Sequence, residues 1–191
     1  MLINNAGIVS GKSILENSDF MMKKTLEVNT LAHLYTIREF LPDMIRIKKG
    51  HIVSIASVAG LQGSPGLADY AASKFGAVAI DESLRTELKK QGLYKYIKTT
   101  CINPFFINTG MFDGVNDNWS FFRILDQHYV VWRILTAIRQ NEDVVVMPFN
   151  CNVIYFLKAL FPVWLSDRIG YYAGGHHYMD TFKGRLHPSN K

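Results

Sequence analysis

The chain has little of several things. Only two cysteines, Cys101 and Cys151, occur in 191 residues. That excludes a disulfide framework and any Cys-based metal pattern, and it suits a reducing compartment or the cytosolic face of a membrane. Cys101 stands in an apolar run and reads as a buried core thiol. Six histidines are present, but none is spaced with cysteine or acidic partners as metal ligands are, so no metal is expected. His176-His177, beside Gly174-Gly175, reads as a tail feature. The uncharged run Val144 to Leu157 is fourteen residues long and broken by Pro148, Asn150 and Asn152. It is too short to span a bilayer. Basic residues are spread along the chain and cluster in nothing longer than pairs such as Lys23-Lys24, Lys48-Lys49 and Lys89-Lys90, with no basic and aromatic run of the kind a nucleic-acid groove uses, so no nucleic acid is expected. Internal repeats, low-complexity tracts and an N-terminal signal peptide are also missing.

What remains is a chain with 48% hydrophobic and 19% charged residues and a net charge of +5. Such a chain folds, and its length suits one core and one domain over residues 1–191, ending in an apolar helix and tail from about 150. The charge suits an anionic cofactor or an anionic membrane surface and decides between neither.

Apolar periodicity alternates between strand and helix. Strands are expected at 1–4, 51–56, 97–103 and 144–147. Helices are expected at 19–46, 67–91, 126–141 and 152–165, with Pro42 as a kink. Loops fill 5–18, 57–66 and 104–122, and the tail from Ser166 is expected to be irregular or weakly helical. This alternation implies parallel strands with crossover helices, a three-layer, doubly wound, Rossmann-like α/β sheet.

The chemistry concentrates in Tyr70-Ala-Ala-Ser-Lys74. On a helix, Tyr70 and Lys74 project from one face, one turn apart. An ammonium beside a phenol is expected to lower its pKa and make it a general acid/base. Ser57, thirteen residues upstream at the end of an apolar run, can hydrogen-bond the same reacting oxygen. Alone, Tyr-x-x-x-Lys is far more often a half-buried Tyr beside a solvated Lys; the Ser spacing and the motifs below reverse that balance.

Together, Asn4-Asn5-Ala6-Gly7, Asn29, Ser57, Tyr70-x-x-x-Lys74 and Pro104…Thr109 resemble the short-chain dehydrogenase/reductase family from residue 1 to about 148. The stretches His51–Ser57, Asp69–Gly76 and Pro104–Phe112 are similar to its membrane-associated branch of epidermal and microsomal retinol dehydrogenases and lipid-droplet 17-beta-hydroxysteroid dehydrogenases. The resemblance implies an NAD(P)-dependent oxidoreductase that interconverts a hydrophobic alcohol, retinol or a steroid, and its carbonyl. Tyr70 would be the acid/base and Lys74 its partner on the nicotinamide ribose. Ser57 would polarise the carbonyl, and Asn29 would hold a proton-relay water. Asn29 also reads as a helix-interior Asn satisfied by backbone. Asn5, Ala6 and Gly7 would line the adenosine side of NAD or NADP, and Pro104, Ile107 and Thr109 its carboxamide and pyrophosphate end. The resemblance further implies a homodimer and location at the endoplasmic reticulum or a lipid droplet.

Two departures matter. Phe105 stands where the family usually has Gly, and no Gly-rich pyrophosphate turn precedes Asn4. The chain is therefore expected to lack the first strand–helix units, as a fragment, short isoform or incomplete gene model, with a half-built cofactor site. A catalytically inactive dimerisation partner, joined through its long helices, is the alternative. Phe105, Phe106, Met111, Phe112, Trp119, Phe121 and Phe122 are expected to form an apolar lid over substrate. The segment Val153–Leu165 is expected either to lie at a membrane interface or to pack on the core.

Overall fold

The computed structural model describes residues 1–116, 123–172 and 175–184. Trp119, Phe121 and Phe122 lie outside them. Four strands form one parallel sheet: β1 (Leu2–Asn4), β2 (Gly50–Ile55), β3 (Ile97–Pro104) and β4 (Val144–Met147), in spatial order β1-β2-β3-β4. The register places Leu2 beside Ile52, Val53 beside Thr100 and Cys101 beside Val144.

Alternation along the strands divides the core between two faces. Ile52 and Ile97 meet Ile37 and Met44 of α2 (Ala32–Arg46) and Leu84 and Leu88 of α3 (Ala68–Lys90). Their neighbours Val53 and Ile102 point the other way, onto Val130, Ala137 and Ile138 of α4 (Gln127–Gln140). Helices on both faces make three layers. Both central strands are buried on both faces, as a parallel sheet requires.

The long helix expected over 19–46 has three parts: α1 (Asp19–Leu26), a π turn over Glu27–Leu31, and α2. Ser18 caps α1, its hydroxyl accepting from Met21 N. Pro42 lies inside α2, and the helix continues through it. At the other end of the chain, the helix expected at 152–165 is two helices, α5 (Asn150–Leu160) and α6 (Val163–Tyr172). Pro162 causes the break. It has no N–H, and its ring drives Phe161 into an extended conformation (φ −94°, ψ 149°). The tail from Ser166, expected to be irregular or weakly helical, is helical as far as Tyr172.

Because all four strands run the same way, their carboxyl ends share one edge of the sheet. Asn5–Gly7 follow β1, Ser57 follows β2, and Phe105 follows β3. The site is built at this edge, where open α/β sheets hold their ligands.

Candidate active site

Ser57 is held by backbone. Its Oγ accepts from Ala59 N at 3.1 Å and donates to Pro104 O at 3.3 Å, tying the end of β2 to the end of β3. A short 3₁₀ turn, Val58–Gly60, then passes so close to α3 that a Cβ on Gly60 would lie 2.7 Å from Lys74 O. This contact fixes the distance between Ser57 and the helix that bears Tyr70 and Lys74.

Tyr70 and Lys74 are 5% and 3% exposed and share one face of α3. The Lys74 ammonium donates to Ile55 O at 2.8 Å and lies 5.7 Å from the centre of the Tyr70 ring. Burial pushes the Tyr70 phenol up to about 12, with the Ser57 hydroxyl opposing it. The expected lowering by Lys74 is therefore not found. The ammonium is engaged at the end of β2, and removing the phenol from water outweighs it. Burial also brings Lys74 down to about 8.

Asn29 sits in the π turn and is fully buried. Its Oδ1 accepts from Ile8 N at 2.9 Å. Its Nδ2 donates to Ile8 O at 2.8 Å and to Ser73 Oγ at 2.9 Å. Ser73 Oγ in turn donates to Tyr70 O at 2.7 Å. The side-chain amide is thus spent on anchoring the loop after β1 to α3. Of the residues singled out from the sequence, Asn29 alone stands behind the cavity wall rather than in it.

The others converge. Asn5, Ala6, Gly7, Ser57, Tyr70, Lys74, Pro104, Ile107 and Thr109 all line one cavity of about 810 Å³. Phe105, Phe106, Met111 and Phe112 contribute apolar wall. Phe112 meets the Tyr70 ring edge-on at 5.7 Å. The opposite wall comes from α5 and α6 through Ile154, Tyr155, Lys158, Phe161 and Ile169. So α5 neither packs wholly on the core nor lies free. One face lines the cavity, while Phe149, Phe156 and Leu160 are exposed. His176, expected as a tail feature, also lines the cavity.

Sequence reasoning missed Asp69. It is buried, accepting from Ser10 Oγ at 2.9 Å and from Thr25 Oγ1 at 3.0 Å, and so holds the loop after β1 and helix α1 against the start of α3. An acid directly before the Tyr was the available signal. Among the described residues, no cluster of three His, Cys, Asp or Glu side chains could hold a metal ion.

The short chain dehydrogenase family model matches residues 1–119. Epidermal retinol dehydrogenase 2 of Homo sapiens is 46% identical over 185 residues, covering 95% of this chain and 59% of that protein. Retinol dehydrogenase 10 of Homo sapiens is 40% identical, over 85% of this chain and 48% of that protein. The chain thus spans between about half and three fifths of these curated relatives. A short chain dehydrogenase from Burkholderia cenocepacia, solved in complex with NADP, superposes with a TM-score of 0.71 at 25% identity, covering 88% of this chain and 67% of that one. A family match over more than half the chain, a shared fold, and nine site positions around one cavity at the carboxyl edge of the sheet lead to one conclusion: the chain belongs to the short-chain dehydrogenase family of oxidoreductases.

Proposed function

We propose that the chain is an NAD(P)-dependent oxidoreductase interconverting a hydrophobic alcohol, a retinoid or a steroid, and its carbonyl at a Ser57-Tyr70-Lys74 site. The observation that carries this is the placement of all three side chains in the wall of one largely apolar cavity. Retinol dehydrogenases among the relatives support the substrate class. The residues present fit a dinucleotide whose nicotinamide ribose lies beside Lys74. At Gly7 a Cβ would come within 3.5 Å of Asn29 Oδ1 and 3.7 Å of Lys74 Nζ. Left bare, that floor beside the ammonium can accept a ribose. Asn5, Ala6, Gly7, Lys74, Pro104, Ile107 and Thr109 would hold the group. When bound, the nicotinamide supplies the hydride acceptor or donor.

The chain's own residues handle the proton. Tyr70 Oη exchanges it with the carbinol oxygen, and Ser57 Oγ donates a hydrogen bond to the same oxygen, stabilising the charge that develops there. With the phenol at about 12, Tyr70 carries its proton at neutral pH. It is ready as the acid for carbonyl reduction and must lose that proton to act as base in oxidation. The apolar wall of Phe105, Phe106 and Phe112 excludes water and favours an apolar substrate.

No described helix is long and apolar enough to cross a membrane. Exposed Phe149, Phe156, Leu160, Val163, Trp164 and Tyr172 on α5 and α6 support peripheral contact with the endoplasmic reticulum membrane or a lipid droplet on its cytosolic side. A second reading, association through α2 and α3 as a homodimer or as a non-catalytic partner, is favoured by the apolar groove between them. Leu34, Ile37, Leu41, Ile80 and Leu84 line it.

The test is turnover. Purified chain with millimolar NAD or NADP and retinol or a steroid alcohol should produce reduced dinucleotide by absorbance, and Tyr70→Phe should not. No turnover with any pairing, or equal rates in the variant, rejects the catalytic reading.

A further inference from the structure

We infer that Gly175–Gly184 is a positioning strap that locks together the three loops carrying the site, with Phe182 as its central anchor. As a statement about catalysis this rests on the function proposed above; as a statement about the fold it does not.

The three site loops leave three different strands; the Ser57 Oγ bond to Pro104 O joins the second to the third, and Val9, Leu67 and Phe106 meet in one apolar cluster. The first, after β1, carries Asn5–Gly7. The second, after β2, carries Ser57. The third, after β3, carries Pro104, Ile107 and Thr109. The strap touches all three, and each presents a glycine to it. A Cβ on Gly11, in the first loop, would lie 2.0 Å from the Phe182 ring. On Gly66, in the second, it would lie 3.1 Å from Met179 Cβ. On Gly114, in the third, it would lie 2.3 Å from Thr181 O. Gly11 and Gly114 also have φ of +67° and +82°, so side chains there would strain backbone and contact alike.

Hydrogen bonds reinforce two of these joints, those to the second and third loops. Ser64 Oγ donates to Gly175 O at 3.1 Å. Thr181 Oγ1 donates to Gly114 O at 2.6 Å. Lys183 N and Gly184 N both donate to Asp113 O, at 2.8 and 3.1 Å. Asn116 N donates to Tyr178 O at 3.0 Å.

The strap also reaches the reacting phenol through rings. Phe182 lies 6.3 Å from Phe112, which meets Tyr70 at 5.7 Å. Tyr178 lies 5.5 Å from both Phe105 and Phe106. Tyr178 and Tyr70 are members of one buried cluster, with Val9 from the first loop and Phe182 packed against it. Phe182 is thus a positioning residue: it acts on Tyr70 through Phe112 and on the first loop through Gly11. A segment that merely covered the cavity would need contact with one rim, whereas this one touches loops from three strand ends. Loops held only at their strand ends open locally at low free energy, and a shared tie makes them open together.

Hydrogen–deuterium exchange on the full chain tests this. Phe182→Ala should raise exchange about tenfold or more at 8–17, 57–67 and 105–116 together. Phe182→Leu should restore most of the protection. Thr181→Val, which keeps volume and loses the Gly114 bond, should loosen 105–116 most. Ile97→Ala, in the core cluster at the amino end of β3, supplies a control with comparable loss of Tm. Loosening confined to the strap's own residues, or the same pattern in Ile97→Ala, overturns the inference. In the same preparations, the rate of reduced-dinucleotide formation should fall about tenfold in Phe182→Ala and recover in Phe182→Leu. If the parent chain forms no reduced dinucleotide, the catalytic reading fails while exchange still decides whether the strap ties the loops.

Discussion

At Tyr70 the side chain's surroundings matter more than its spacing from Lys74. A phenol held at about 12 is a donor at neutral pH. Oxidation needs the phenolate, whose fraction rises about tenfold per pH unit below that value. Oxidative kcat/KM should therefore climb from pH 6 to 9 while reductive kcat/KM stays flat, as steady-state pH profiles will show; a flat oxidative limb refutes the assignment. Two further buried groups oppose each other. His33, with both ring nitrogens unpartnered among the described residues, is brought down to about 4 from 6.5, by burial first and by Lys74 second. The unfolded chain takes up that proton first, so stability falls as pH drops from 6.5 to 4. Burial pushes Asp81 up to about 7 from 3.8, against the opposing pull of Arg85 and Ser54. Here the folded state keeps its proton longer, so stability falls as pH rises from 3.8 to 7. The two slopes offset each other in the parent. Asp81→Asn should gain roughly 2–4 kcal/mol at pH 8 and nothing near pH 3.5. Urea unfolding across pH measures both ends, and a pH-independent difference counts against it.

Among the elements, the 3₁₀ turn Val58–Gly60 is the spacer between Ser57 and α3. Gly60→Ala places a methyl against the backbone of Lys74, which cannot rotate away. The expected cost is about 1–3 kcal/mol in stability. Turnover should fall more than substrate affinity, because Ser57 and Tyr70 must meet one oxygen. Thermal melts with steady-state kinetics check this, and a variant with parental kcat would show that the turn does not set the spacing. The strands were legible to within a residue or two, since parallel strands buried on both faces read as continuous apolar runs such as Ile52-Val53 and Thr100-Cys101-Ile102. The break at Pro162 was legible in principle. It was passed over because apolar residues continue on both sides, and periodicity does not register a missing N–H.

For the whole molecule, nine of the ten residues singled out as site residues meet in one cavity, because parallel strands deliver their carboxyl ends to one edge. The proposed cofactor contacts, Asn5–Gly7, Lys74, Pro104, Ile107 and Thr109, would hold only parts of a dinucleotide. Affinity for NAD or NADP is therefore expected on the millimolar scale, measurable by calorimetry; a micromolar value would reveal a further partner for the pyrophosphate. Where turnover occurs, kcat/KM should favour retinol or a steroid alcohol over a short polar alcohol by at least about tenfold, given the Phe105, Phe106 and Phe112 wall. Preference for the polar substrate excludes the retinoid and steroid reading.

Local pattern determined the strands and most of the helices and singled out Ser57, Tyr70 and Lys74 as candidates, because periodicity and fixed spacing are properties of neighbouring residues. Tertiary structure alone decided three things. Burial, which no spacing encodes, set the protonation of Tyr70. Reciprocal bonds to Ile8, twenty-one positions away, turned Asn29 into an anchor. Packing across more than a hundred residues, from Ser64 to Gly175 and from Gly11 to Phe182, made a strap and a cavity wall of the chain's last segments.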